Sequence, residues 1–450
     1  MRVIQISAAL VALLSSSAIF AQVHDHAATD AAGKAAITPI KPASKPGKTP
    51  IAPAAGAPSR YLLAFAGDDW KTKPWSDDFL VTFDLATGQP IASTPIGRTG
   101  SMPHHTEYVL PVAGEKLWAN AHHAEEILLL DWSNPKKIEI ALRLKSPPPL
   151  RFPHDFKRLS DGAMMVGFLR SEGPSPEAGD QTMPGNHGGI AEYRSDGTLV
   201  RTSSAAVEGL PNPVRPYSFL EIDDGRRLVT TSALMMEKSS ADVVQIWRRS
   251  DLKLLHTLIV PAGSGPSGKA VPSAAGAPFA AKTMADGSIL ISTYGCGFYR
   301  LAGAEGESPK LTHVLTISPD AKDDSRGSCG VPVMRGKYWI QPIGKEGRVA
   351  TFDISDPNIP REVHSLTIAP GFAPHWTALD PRSDRLVVGA EAGMEEAMVI
   401  LRLDPHTGGL SFVDGIVDTK GRKGFLDFAR EAWPHGKTGP AWGHAALFIP

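Results

Sequence analysis

Histidine stands behind the same small cue at several distant places in this chain. It follows Pro103 as the pair His104-His105, Pro153 as His154, Pro374 as His375 and Gly443 as His444. A second pair, His122-His123, and a lone His187 fall between them. Imidazole is a neutral nitrogen donor of borderline softness, so several gathered in one cleft suit copper, zinc or iron. Carboxylates accompany them at Asp68, Asp69, Glu107 and Asp155, and such groups orient metal-bound imidazoles by accepting their other N–H. The competing reading is a hydrogen-bonded polar channel, and beside His375 it makes Trp376 plain core. Of the 15 histidines, His256, His313, His364 and His406 read as strand or turn surface residues and are set aside.

This chemistry requires an architecture that joins distant segments. Six related phrases recur: Pro103-His104-His105, Pro153-His154-Asp155, Pro216-Tyr217-Ser218, Pro278-Phe279-Ala280, Gly330-Val331-Pro332 and Pro374-His375-Trp376. Each precedes a strand-like run, and several then show a turn pair and a second strand. Asp161-Gly162, Asp224-Gly225, Asp286-Gly287 and Ser383-Asp384 are such pairs. Self-similarity at roughly 40–60 residues, built only of strands, predicts an all-β β-propeller.

Arg60–Phe65 and Leu80–Asp84 read as the second and third strands of a first blade that lacks its innermost strand. The C-terminal run Trp442–Phe448 is the natural donor, and closing the ring this way removes an exposed edge. Seven blades result, with inner strands starting near residues 443, 104, 154, 217, 279, 331 and 375. In a propeller those starts and the loops after the second strands share one mouth of the channel. The expected metal set is therefore His104, His105, His122, His123, His154, His375 and His444.

Size and charge agree with a closed repeat array. The chain has 450 residues, 43 Gly and 39 Pro, a net charge of −1 and a pI near 7.0. No basic stripe marks a nucleic-acid partner. Residues 1–21 read as a signal peptide, with Arg2, an apolar run from Val3 to Leu14 and a small-residue exit ending at Ala21. Residues 22–58 form an Ala/Pro/Lys-rich tether, and residues 59–450 the propeller. The expectation is an exported protein, periplasmic or secreted, with no membrane association after cleavage.

Export allows Cys296 and Cys329 a disulfide, since both fall at the same mouth on neighbouring blades. A reactive or ligating thiolate at Cys296 and two free buried thiols are the other readings. At the new amino terminus, Gln22-Val23-His24 has the donor set of a square-planar Cu(II) site, against a disordered end with incidental His24 and His26. Gly263–Gly268 matches a dinucleotide fingerprint by letter, but Pro266 interrupts it and no helix follows. Glu125-Glu126 and Glu395-Glu396 read as exposed loop charges.

Together these residues resemble the selenium-binding protein / methanethiol oxidase family. The stretch Gly424–Phe428 with Gly439-Pro440-Ala441-Trp442-Gly443-His444 is similar to its closing segment, and His104-His105 to its early His-His pair. His154 with Leu159–Gly162 resembles its His-x-x-His-Cys-Leu-x-Ser-Gly element. Gly188-Gly189-Ile190, Val244–Trp247, Gly295-Cys296 and Phe352–Pro357 fit in the same order. The chain departs from the family at three places: Thr106–Val109 replaces a Cys-containing run, Lys157 the second His, and Ala445 an acidic residue.

The resemblance implies a seven-bladed propeller and, for bacterial members, an exported copper-dependent oxidase. That activity turns methanethiol, oxygen and water into formaldehyde, hydrogen sulfide and hydrogen peroxide. The expected ligand is a small sulfur-containing molecule or a metal ion, the expected cofactor copper. Glu107 and Asp155 would support the ligands, with Cys296 the candidate nucleophile. Two alternatives stand beside this oxidoreductase: a non-catalytic propeller binding metal or a partner, and a calcium-dependent lactonase-like hydrolase. The last wants oxygen donors where imidazoles stand.

Overall fold

The structure, a computed structural model, describes residues 57–67, 77–99, 105–122, 124–171, 187–235, 239–265, 267–317, 329–391 and 395–450. The expected signal peptide and nearly all of the tether lie outside these residues. So do His24, His26, Asp68, Asp69, His104 and His123.

Seven antiparallel sheets make seven propeller blades, and the only described helices are three short 3-10 turns. None of the described helices is long and apolar enough to cross a membrane. Blade 1 runs from Trp442–Ile449 inside, through Tyr61–Gly67 and Asp77–Asp84, to Gln89–Thr99 outside. The closing strand pairs antiparallel with Tyr61–Gly67, matching Leu62 with Phe448 and Ala64 with Ala446. One blade thus draws on both ends of the folded region, and its inner edge is covered.

Blade 2 holds Leu117–Ala121, Glu126–Asp131 and Glu139–Lys145, its inner side marked by a bridge between Thr106 and Ala119. Blades 3, 4 and 5 begin with the inner strands Arg151–Arg158, Pro216–Ile222 and Pro278–Thr283. Blade 6 begins with Val333–Arg335 and blade 7 with Pro374–Leu379.

Burial follows position in the blade. Middle strands such as Met164–Arg170 and Ala397–Leu403 are almost wholly buried, because both sheet faces pack on neighbouring blades. Outer strands such as Glu139–Lys145 and Arg361–Thr367 are mostly exposed and carry the charge. Trp118, Trp247, Trp339 and Trp376 are fully buried fillers.

One irregularity repeats. Proline opens the inner strands of blades 4, 5 and 7, where its missing N–H costs no ladder bond. The register then shifts just past it, between Pro216 and Phe219, Pro278 and Ala280, and Pro374 and Trp376. Pro153 and Phe156 in blade 3 and Gly443 and Ala446 in blade 1 bracket the same shift. A bulge re-aims the side chain it carries. The residues carried are Tyr217, Phe279, His375, His154 and His444.

Candidate functional site at the channel annulus

Those bulged residues, with His105 and Val331, form an annulus to which each blade gives one residue. Going round, ring centroids lie 6.1 Å apart for His444 and His105, 4.0 Å for His105 and His154, and 3.9 Å for His154 and Tyr217. Tyr217 meets Phe279 at 6.1 Å. Val331 fills the sixth place, its N–H donating to the His375 carbonyl at 2.6 Å. His375 meets His444 at 5.2 Å, closing the circle.

His122, from the end of Leu117–Ala121, joins from behind. It stacks on His154 at 5.5 Å and on Phe152 at 4.5 Å. Five of the seven expected metal-set histidines are thus brought together, and the other two, His104 and His123, lie outside the described residues. His187 is elsewhere, its Nδ1 accepting from the Val214 N–H at 3.0 Å.

Asn120, which sequence reasoning passed over, ties the histidines into one unit. Its Oδ1 accepts the His105 N–H at 2.9 Å, and its Nδ2 donates to the carbonyls of Pro153 and His154, each at 3.1 Å. The same Nδ2 lies 3.2 Å from the His122 Nε2. The available signal was one amide in the otherwise apolar strand LWANA.

The electrostatics favour neutral rings. His105, His122 and His154 are fully buried, whereas His375 and His444 keep some exposure. Burial first, then the other four imidazoles, hold the His105 pKa well below its ordinary value. Burial takes His154 down to about 3, opposed by its hydrogen bond to the Tyr217 carbonyl at 3.2 Å. A carbonyl only accepts, so this bond puts the proton on Nδ1 and the lone pair on Nε2. Burial also lowers His375, partly offset by the charge of Glu391.

The expected supporting carboxylates are placed differently. Glu107 accepts two hydrogen bonds from Arg158, at 2.9 and 2.8 Å, and one from the Trp118 N–H at 3.0 Å. It therefore braces the blade 2–3 contact and not an imidazole. Asp155 accepts from the Phe219 N–H at 3.2 Å, and burial raises it to about 7.

Cys296 leaves the nucleophile role, because its sulfur is bonded to that of Cys329 and no thiolate stands there. Glu125 and Glu126 are buried rather than exposed, paired with Arg151 and with Arg143 and Lys145 from neighbouring strands. Among the described residues, no three His, Cys, Asp or Glu side chains stand in an arrangement that could hold a metal ion as they are.

No family model matches the sequence, and no curated protein does. Solved structures match across most of the chain at low identity. A hypothetical selenium-binding protein from Sulfolobus tokodaii superposes with a TM-score of 0.61 at 13% identity, covering 87% of this chain and 94% of its own. A periplasmic gluconolactonase from Pseudomonas aeruginosa gives 0.54 at 15%, covering 87% and 99%. A 6-phosphogluconolactonase-like protein from Bacteroides fragilis gives 0.54 at 14%, covering 82% and 97%. At such identities the likeness is one of fold, and it places the chain among β-propellers that include a selenium-binding protein and gluconolactonases.

Proposed function

We propose that this propeller binds a transition metal, copper by preference, at the histidine annulus and oxidises a small sulfur compound there. The observation that carries the reading is the enclosure of five imidazoles, from four blades and one strand end, around a single channel. Nitrogen donors of this softness suit copper better than calcium or magnesium. His105, His122, His154, His375 and His444 would hold the ion. Since no three now converge, ring rotation about the side-chain bonds would complete the set.

Bound there, copper would supply one-electron exchange with oxygen. The protein's own share is separable from that. The Tyr217 carbonyl keeps the His154 proton on Nδ1, Asn120 fixes the backbone beneath two rings, and Trp376 and Tyr217 wall His105 from water. Among these five histidines His375 is the least enclosed, and a small substrate would approach from its side. Peroxide production from methanethiol, with oxygen and water consumed, is the activity the resemblance suggests.

A second reading, metal binding without turnover, draws on the complete burial of His105, His122 and His154. Copper reconstitution followed by elemental analysis and a peroxide assay with methanethiol separates the two. One copper per chain with peroxide release supports the oxidase, and copper without peroxide supports the binding protein. Absence of stoichiometric transition metal overturns both.

A further inference from the structure

The short strands Gly263–Ser264 and Ala270–Val271 pair as a hairpin that lies against the outer strand of blade 5, Lys310–Thr316. That outer strand pairs with Gly297–Ala302, and its register shifts partway: Phe298 faces Leu315, whereas Tyr299 faces His313. Val314 is therefore the extra residue of a bulge. Side chains three apart point to opposite faces of a regular strand, and one extra residue brings them to the same face. His313 and Thr316 meet for this reason, with Nε2 and Oγ1 3.0 Å apart.

Ser264 completes the group. Its Oγ lies 3.4 Å from His313 Nδ1, and its carbonyl accepts the Thr316 hydroxyl at 2.9 Å. The two bonds of Thr316 fix the imidazole. A carbonyl only accepts, so the single hydroxyl proton of Thr316 goes to Ser264, and toward His313 the same oxygen must accept. The neutral ring then carries its proton on Nε2 and turns the lone pair of Nδ1 to the Ser264 hydroxyl. Tyr299 meets the ring edge-to-face at 5.3 Å, and burial lowers the His313 pKa, which favours the free base. Gly263 lets the hairpin come this close. A Cβ there would sit 3.1 Å from Thr316 Oγ1 and 3.2 Å from His313 Nε2.

We propose that Ser264 is a nucleophile toward small carboxylic esters, with His313 as its general base and Thr316 as a positioning residue. A hydroxyl beside a base, with the base oriented by a third group, is the arrangement that activates serine. Ser264 is exposed, so an ester reaches it from solvent. Its Oγ bonds to the acyl carbon as its proton passes to Nδ1, and the alcohol leaves with that proton. Water then gives a proton to Nδ1 and attacks the acyl carbon, the acid departs, and Oγ regains the proton. Ester and water become acid and alcohol. The orienting group is a neutral hydroxyl instead of a carboxylate, so the imidazolium is less stabilised and turnover is slow.

The test is a fluorophosphonate probe on the full, metal-free chain, read by intact mass and peptide mapping. The serine oxygen bonds to phosphorus, fluoride leaves, and the proton is taken up by the imidazole. Folded wild type should give one adduct per chain, on Ser264, and heat-unfolded protein none. Ser264→Ala should give none, and His313→Ala should label at least about tenfold more slowly. Thr316→Val should label several-fold more slowly and Thr316→Ser near the wild-type rate, a pattern that lost packing alone does not produce. An unlabelled Ser264 in folded wild type, or equal rates in wild type and His313→Ala, overturns the assignment. No copper enters the experiment, so it and the copper reconstitution can fail independently.

Discussion

The rings of His105 and His154 lie with centroids 4.0 Å apart, and a single amide, Asn120, is hydrogen-bonded to the backbone of both residues. Protonating either ring would set a cation against the other inside a dry channel. Both therefore stay neutral, which keeps a nitrogen lone pair on each ring.

Asn120→Ala should loosen that pair without removing any imidazole. Three buried hydrogen bonds to backbone are lost, which should lower stability by about 2–4 kcal/mol in urea denaturation. As a positioning residue, Asn120 should also affect copper affinity by about 10–100-fold. Asn120→Asp keeps the acceptor for the His105 N–H and should lose less of that affinity than alanine. Unchanged copper affinity in Asn120→Ala would remove Asn120 from the account.

Acid should destabilise the metal-free protein before its carboxylates titrate. His105, His154 and His375 are lowered from the ordinary 6.5, His154 to about 3, and His187 and His313 move the same way. Below about 6.5 the unfolded chain binds protons that the native rings refuse, so their contribution is complete above that pH and is lost as pH falls. Asp155, raised to about 7, has the opposite sign, as do Glu107 and Glu396. More groups act in the first sense, so net proton uptake accompanies unfolding. Each net proton is worth about 1.4 kcal/mol per pH unit. The urea midpoint should fall between pH 6.5 and 4.5, and a flat or rising midpoint would contradict neutral, enclosed rings.

Gly330 and Gly389 let backbones meet where the annulus closes. A Cβ on Gly330 would sit 2.0 Å from the His375 carbonyl oxygen, and one on Gly389 2.5 Å from that of His444. Both obstacles are backbone atoms, so the inner strand itself must move. Gly330→Ala should destabilise by roughly 2–4 kcal/mol and shift His375. Thermal unfolding of this variant at wild-type temperature would show that the approach is not obligatory.

The Cys296–Cys329 bond joins blade 5 to the approach of blade 6 across 33 residues. A loop of that length predicts a loss of roughly 3–4 kcal/mol when both cysteines become alanine. Copper stoichiometry should not change, since neither sulfur is proposed as a ligand. Copper lost from the double variant at native conditions would return Cys296 to the site.

Much of this organisation was legible in the sequence because it repeats. The proline-led phrases mark the annulus, and residue 105, 154, 217, 279, 331, 375 or 444 stands within two positions of each expected inner-strand start. The unpaired first blade pointed to the C-terminal strand for the same reason. What stayed hidden depends on contacts between blades. The cations beside Glu125 and Glu126 come from residues 143, 145 and 151, so local composition made a buried pair look exposed. Arg158 claims Glu107 in the same way. Lys282 looks like a surface lysine in sequence, and only the propeller carries it across the channel to Tyr108.

Electron paramagnetic resonance of the copper(II)-loaded protein tests the central claim most directly. The account predicts one copper per chain with nitrogen superhyperfine structure from several imidazoles, simplified in His154→Ala and in His444→Ala. Copper bound with an identical spectrum in both variants, or no stoichiometric copper at all, would contradict it.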